Sequence, residues 1–209
     1  MQELLPIAEQ IGAKLKARKE TIAIAESSTG GLISAALLSV PGASAYFMGG
    51  SVIYTRTARR ELMGITPEMM EGKRASTEYY AGLLAGTVRE KFKTTWGIGE
   101  TGATGPTGNS YGDAAGHCCY AVSGPVSHAF TLETGSADVI LESAPVLRAT
   151  FIKASFIALA LGKRSDGLYC KAVLTTASSS VEILGLMRRS GRSAKENGGS
   201  NRGSRRLMA

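Results

Sequence analysis

Apolar positions recur along the chain with two periods. Leu4, Ala8, Ile11 and Leu15 repeat at helical spacing and predict an amphipathic opening helix. Residues 21–25 form a short apolar run that suits a buried strand. A turn of Ser27, Ser28, Thr29, Gly30 and Gly31 follows, then a helix over 32–40 that Pro41 and Gly42 stop. Residues 51–55 read as a second strand, feeding a helix near 57–63 that Gly64 ends. Ser76 is the expected N-cap of a long helix reaching about Phe92, with Tyr80, Leu84 and Val88 on one face. Residues 96–100 predict another strand, opening into a glycine-rich stretch over 101–116. Two more strands are expected at 117–122 and 126–132, parted by Ser123, Gly124 and Pro125. A last helix would carry Leu147, Phe151, Ala154, Ala158 and Leu161 as its apolar stripe.

Helices alternating with short buried strands predict an α/β layered sandwich, with a mixed, mostly parallel central sheet flanked by helices. Two regions are expected: a folded domain over 1–162 and a basic, disordered tail over 163–209. The tail is rich in Ser, Gly, Arg and Asn and cannot bury enough surface to offset its ordering entropy.

Composition sharpens that division. The chain has 209 residues, is 44% hydrophobic and carries a net charge of +7. Acidic and basic side chains balance over 1–162, so the whole excess lies in the tail. The tail lacks interleaved aromatics beyond Tyr169, which argues against base stacking and leaves only weak, non-specific attraction to anions. The longest apolar run, 156–161, is far short of the roughly 20 residues that span a bilayer. No signal-peptide pattern opens the chain, so a cytoplasmic protein without a membrane partner is expected. Cys118 and Cys119 are adjacent and Cys170 is remote. That spacing supports neither a disulfide framework nor a metal site.

Two strand exits carry candidate chemistry. The turn of residues 26–31 places hydroxyls and two glycines where a following helix points its unpaired N–H groups. It suits an anion, a serine nucleophile with backbone donors for an oxyanion, or simply a hydroxyl N-cap. The second exit, 99–108, is again rich in Gly and Thr, and loops at the carboxyl ends of strands meet at one edge of an α/β sheet. Otherwise it is a loop needing positive φ at several positions. Tyr54 and Arg59 could share that edge if the helix begins near Thr57, or, with Arg60, form a basic surface turn beside a core tyrosine. His117 and His128 have no partner at ligand spacing and read as structural.

Taken together, these stretches resemble the C-terminal domain family of the competence/damage-inducible protein CinA, the nicotinamide-nucleotide amidases. Residues 25–33 resemble the family's AESCTGG motif, with Ser28 in place of its cysteine. Residues 41–47 are similar to its G-S-S-A segment, residues 54–59 and 62–65 to its Y-S/T-N-x-A-K…L-G-V run, and residues 101–106 to TGIAGP. The resemblance spans about residues 3–162.

It implies hydrolysis of the carboxamide of nicotinamide mononucleotide to ammonia and nicotinic acid mononucleotide, a step in NAD recycling. The partner would be a small-molecule pyridine nucleotide, with no metal or organic cofactor, and the chain would form a homo-oligomer. By the same likeness Ser27 is the nucleophile. Thr29, Gly30, Gly31, Thr101 and Gly102 would line the pocket, and Arg148 would clamp the phosphate. The family's lysine base falls on Arg59. A guanidinium starts above about 12 and cannot be brought near neutrality cheaply enough to act as a base. Two readings follow. Arg59 stays charged and favours the phenolate of Tyr54, which deprotonates Ser27. Alternatively, turnover is impaired and the pocket binds a nucleotide or another anion.

Overall fold

The computed structural model describes residues 4–103 and 106–133. The expected helix at 147–161, Arg148 and the tail over 163–209 lie outside the described residues. So do Thr104, Gly105 and the boundary proposed at 162.

Helix α1 (Leu5–Arg18) leads into strand β1 (Ile22–Glu26), then α2 (Leu32–Leu38). Strand β2 (Phe47–Val52) and helix α3 (Arg56–Met63) follow. Next come α4 (Glu78–Phe92), β3 (Trp96–Ala103), β4 (His117–Ser123) and β5 (His128–Glu133). The five strands make one sheet in the order β2-β1-β3-β4-β5. β1 pairs parallel with β2 and β3, while the β3–β4 and β4–β5 pairs are antiparallel. Four strands therefore run one way and β4 alone runs back, which is the mixed, mostly parallel sheet that the pattern predicted.

Strand periodicity assigns the two faces. Ile22, Ile24, Trp96 and Ile98 share one buried cluster with Ala8, Ile11 and Leu15 of α1 and Ile33 and Leu37 of α2. Ala23 and Ala25 face the other way, toward Tyr80, Leu84 and Val88 of α4. The small residues on that second face let α4 lie close. A Cβ at Gly97 or Gly99 would stand 2.1 Å from the carbonyl oxygen of Ala85 or Ala81 respectively.

Several boundaries differ from the sequence expectation: β3 runs on to Ala103, α2 stops at Leu38 and β5 spans His128–Glu133. The second strand is Phe47–Val52 rather than 51–55. Its Gly49 and Gly50 disguise it as a loop, yet both are required by packing. A Cβ at Gly49 would strike the Phe92 ring at 2.2 Å, and one at Gly50 would meet Ser34 Oγ at 2.4 Å. The long helix is capped by Thr77, whose hydroxyl accepts from the Tyr80 N–H at 3.3 Å, not by Ser76. Ser76 instead adopts φ +55°. It gives its N–H to Thr101 Oγ1 at 3.3 Å and its hydroxyl to the Gly102 carbonyl at 3.2 Å. Those tertiary bonds hold a left-handed serine in a conformation it would otherwise avoid.

Candidate functional site

The exits of β1, β2 and β3 lie at the same edge of the sheet, as three parallel neighbours must. Register then brings two acids together. Ala25 pairs with Gly99, and the next positions on these strands are Glu26 and Glu100. Both side chains are completely buried.

Glu100 organises the turn after β1. It accepts from the N–H groups of Ser27 at 2.9 Å and Thr29 at 3.0 Å, from the Thr29 hydroxyl at 2.8 Å, and from the Ser28 hydroxyl. Glu26 caps α2, accepting from the N–H groups of Ile33 and Ser34 at 3.0 Å each and from the Ser34 hydroxyl at 2.6 Å. The hydroxyl N-cap, one expectation at this helix end, is not realised. The positive end of the dipole is filled by the chain's own carboxylate.

Thr29 Oγ1 stands between the acids, 2.7 Å from Glu26 Oε2 and 2.8 Å from Glu100 Oε2. One hydroxyl proton cannot serve both oxygens, so a second proton in the cluster relieves the repulsion. Burial pushes the Glu100 carboxyl above the usual carboxylate range, against the pull of its bonds from Ser28, Thr29 and Ser27.

The consequence falls on Ser27. Ser28 and Thr29 are buried with their hydroxyls engaged, whereas Ser27 is half-buried and its hydroxyl has no hydrogen-bond partner among the described residues. Gly30 and Gly31 carry the turn through φ of +63° and +100°. The Gly30 N–H returns to the Ser27 carbonyl at 3.1 Å, while the Gly31 N–H meets no described acceptor.

The other predicted residues are placed differently. Thr101 and Gly102 hold the Ser76 turn rather than lining an open pocket. Thr101 is buried, and a Cβ at Gly102 would lie 2.3 Å from the His117 carbonyl oxygen. Tyr54 is 73% exposed beyond the end of β2. Arg59 is not turned toward it. Its guanidinium lies 5.9 Å from the centroid of the Tyr80 ring, and its buried Nε has no hydrogen-bond partner among the described residues. Burial raises the Tyr80 phenol to about 12. The expected pairing of Arg59 with Tyr54 is thus replaced by a pairing with Tyr80, because α3 turns Arg59 back onto α4.

Arg59 helps line a cavity of about 420 Å³ together with Arg56, Arg60, Lys73 and Arg74. Arg74 forks onto Asp113, with N–O distances of 2.5 and 2.9 Å, and this bond holds the Asp113 carboxyl below its ordinary range. His117, read as structural, joins the same network. It meets Glu133 at 2.5 Å and the Ser76 carbonyl at 3.0 Å. Burial pulls its pKa down, but the Glu133 and Ser76 bonds outweigh it, and the net movement is upward. Among the described residues no cluster of His, Cys, Asp and Glu could hold a metal ion, and no helix is long and apolar enough to cross a membrane.

Sequence reasoning missed Glu26, Glu100, Arg74 and Asp113. The two glutamates had a signal: each ends an apolar strand run, where an acid is unexpected unless something binds it. Arg74 and Asp113 had none, since 39 residues separate them.

Comparison with known proteins supplies the remaining findings. A family described as the CinA C-terminal domain matches residues 4–143. A CinA-like protein of Desulforapulum autotrophicum is 37% identical over 124 residues, covering 59% of this chain and 29% of that protein. A CinA-like protein of Synechocystis is 43% identical over 104 residues, covering 50% of this chain and 25% of that protein. The chain thus spans under a third of the length of these curated relatives. In fold it is similar to a CinA superfamily protein from Escherichia coli, with a TM-score of 0.66 at 23% identity, covering 75% of this chain and 90% of that one. It is likewise similar to the competence/damage inducible protein CihA from Agrobacterium tumefaciens, with a TM-score of 0.67 at 25% identity, covering 77% and 96%.

Proposed function

Because the chain belongs to the CinA C-terminal domain family, we propose that it is an amidohydrolase. In this reading it deamidates nicotinamide mononucleotide through Ser27. The observation that carries the reading is the state of the turn after β1. Three hydroxyls stand in a row there; two are tied to buried carboxyls, and the Ser27 hydroxyl alone has no partner among the described residues. A nucleophile must be held rigidly and yet be accessible, and Glu100 provides the rigidity through the backbone on both sides of Ser28.

The chemistry then runs in two steps. Ser27 Oγ attacks the carboxamide carbon, and its proton is relayed through the Tyr54 hydroxyl at the exit of β2 to the departing nitrogen. The C–N bond breaks, ammonia leaves with a proton, and an acyl-serine ester remains. Water adds to that ester, nicotinic acid mononucleotide departs and Ser27 is restored. The Gly31 N–H is the donor on this turn available to the developing oxyanion. Thr29, Gly30, Gly31, Thr101 and Gly102 shape the pocket through the backbone they hold, and Arg148 is the proposed phosphate clamp. Arg59 remains a cation and takes no proton.

Ammonia release from nicotinamide mononucleotide, followed from acid to alkaline pH, tests this. Release should fall by about a thousandfold or more in Ser27→Ala and be lost in Tyr54→Phe. Undiminished release from either variant would overturn the role given to that residue. A second reading, a nucleotide- or anion-binding module without turnover, is favoured by the guanidinium at position 59 and by the cationic cavity around it. Absence of release from folded protein at every pH would select it.

A further inference from the structure

Between Glu26 and Arg56 the chain contains no Asp, Glu, Lys, Arg or His. That stretch builds the whole of α2 and β2. Charged residues make up 20% of the chain, so an uncharged run of this length departs from the background composition. Its outer side is not buried: Leu38 is 55% exposed, Val52 43% and Met48 40%. β2 is also an edge strand, with β1 on one side and no strand on the other among the described residues. An open edge accepts a further strand, and folded chains ordinarily block it with a charge, a proline or a covering element. The opposite edge, β5, begins at His128 and ends at Glu133, whereas β2 carries neither charge nor proline.

The ladder shows which backbone groups are open. Ile53 gives its N–H to the Glu26 carbonyl on β1 at 2.6 Å. In a parallel pair the N–H and C=O of one residue point to one side, and those of the next residue to the other. Gly50 and Val52 therefore direct theirs away from β1. The irregularity in the β1–β2 pairing falls at the start of β2, so residues 49–52 run in regular register. Two-fold antiparallel pairing about Gly50 sets each Gly50 opposite its own copy, and each Val52 opposite Met48 of the second copy. That register matches apolar to apolar and brings no charge onto itself. An isologous contact demands this, because a charge at its centre meets its own image and repels it.

We propose that two copies of this chain pair through β2, antiparallel about Gly50, and so join their two five-stranded sheets into one. The backbone groups of Gly50 and Val52 make the hydrogen bonds across the seam. Met48 and Val52 supply its apolar contacts. α2 lies against the same strand, with Ser34 beside Gly50, and Leu38 adds exposed apolar area at the end of that helix. A second copy is the occupant that explains the missing charge. A strand from a different protein could carry complementary charge, and the edge could then keep its own. The proposal does not depend on the amidase reading, because Ser27 and its turn take no part in the contact.

Sedimentation equilibrium on the full chain tests it, and the parent should be a dimer. Met48→Glu and Val52→Lys should each weaken that dimer about tenfold or more, since each sets a charge against an apolar side chain at both ends of the seam. The double variant Met48→Glu/Val52→Lys should regain most of the loss, because the antiparallel register then puts opposite charges face to face twice. Both residues are exposed, so the circular dichroism of all three variants should match the parent's. Hydrogen exchange on the parent tests the seam without any substitution: the Gly50 and Val52 amides should exchange slowly, and more slowly as the dimer fills. Four results would overturn the proposal. A parent monomeric at every concentration would leave the edge to a strand of another protein. A dimer that neither single variant weakens would place the contact on another surface. A double variant weaker than both single ones would exclude the register about Gly50. Fast exchange at both amides in a dimeric parent would exclude the backbone pairing itself.

Discussion

Two charged regions lie near the carboxyl edge of the sheet, and they handle charge in opposite ways. Around Glu26 and Glu100 everything is closed. Both acids are buried in register on neighbouring strands, and backbone N–H groups and hydroxyls occupy their oxygens. Around Arg59 the reverse holds, with cations gathered beside an open cavity and a buried guanidinium nitrogen left unsatisfied. A charge that the chain satisfies itself does structural work: here it shapes a turn and presents Ser27. A charge that the chain gathers and leaves unmatched is directed at something outside it. The acidic corner is thus a scaffold for the proposed chemistry, and the basic cavity is where the second reading would place an anion.

The strongest challenge to that contrast is to open the closed side. Glu100→Ala would remove the acceptor of two N–H donors and of the Ser28 hydroxyl in the 27–29 turn, leaving the Thr29 hydroxyl to Glu26, and should cost about 3 kcal/mol or more in urea denaturation. Glu100→Gln keeps the shape and an acceptor oxygen, and should cost far less. It should also change the pH dependence. A carboxyl whose folded pKa is raised binds more protons folded than unfolded, so wild-type stability declines as pH climbs from about 4.3 through the folded value. The Gln variant should be flat through that window. An Ala variant as stable as its parent would break the comparison at its root.

Arg74→Met probes the border between the regions, since Arg74 lines the cavity yet is paired internally. The pair is partly exposed and bidentate, so its loss should cost about 1 kcal/mol. Arg74 lowers the Asp113 pKa, and that contribution is present above about 3.9, the usual carboxyl value, and is lost as pH falls through the folded value. In Arg74→Met the acid limb of the stability curve should therefore be shallower. The smallest effect belongs to His117. Its raised pKa contributes stability below about 6.5 that is lost as pH rises through the folded value. Its partner Glu133 is largely exposed, so His117→Gln should remove only about 0.5 kcal/mol of pH-dependent stability. A larger change would mean that this network, too, is closed rather than peripheral.

Much of the fold was legible because periodicity is local. Leu4, Ala8, Ile11 and Leu15 bury the face of α1 that their spacing predicts, and Tyr80, Leu84 and Val88 do the same for α4. Strand β2 was misplaced because Gly49 and Gly50 answer to Phe92 and Ser34, residues distant in sequence. The Ser27 turn could be found from its residues alone, as could the unsuitability of Arg59 as a base.

Sequence by itself thus determined the alternation of elements, the buried faces of α1 and α4 and the hydroxyl-rich exits, since each follows from neighbours within a few residues. Tertiary structure decided which exit residue stays available, which acids meet across the β1–β3 register, and that Arg59 turns to Tyr80 and the cavity rather than to Tyr54. Those outcomes depend on strand register and on the angle at which helices cross the sheet, and no stretch of chain carries that information alone.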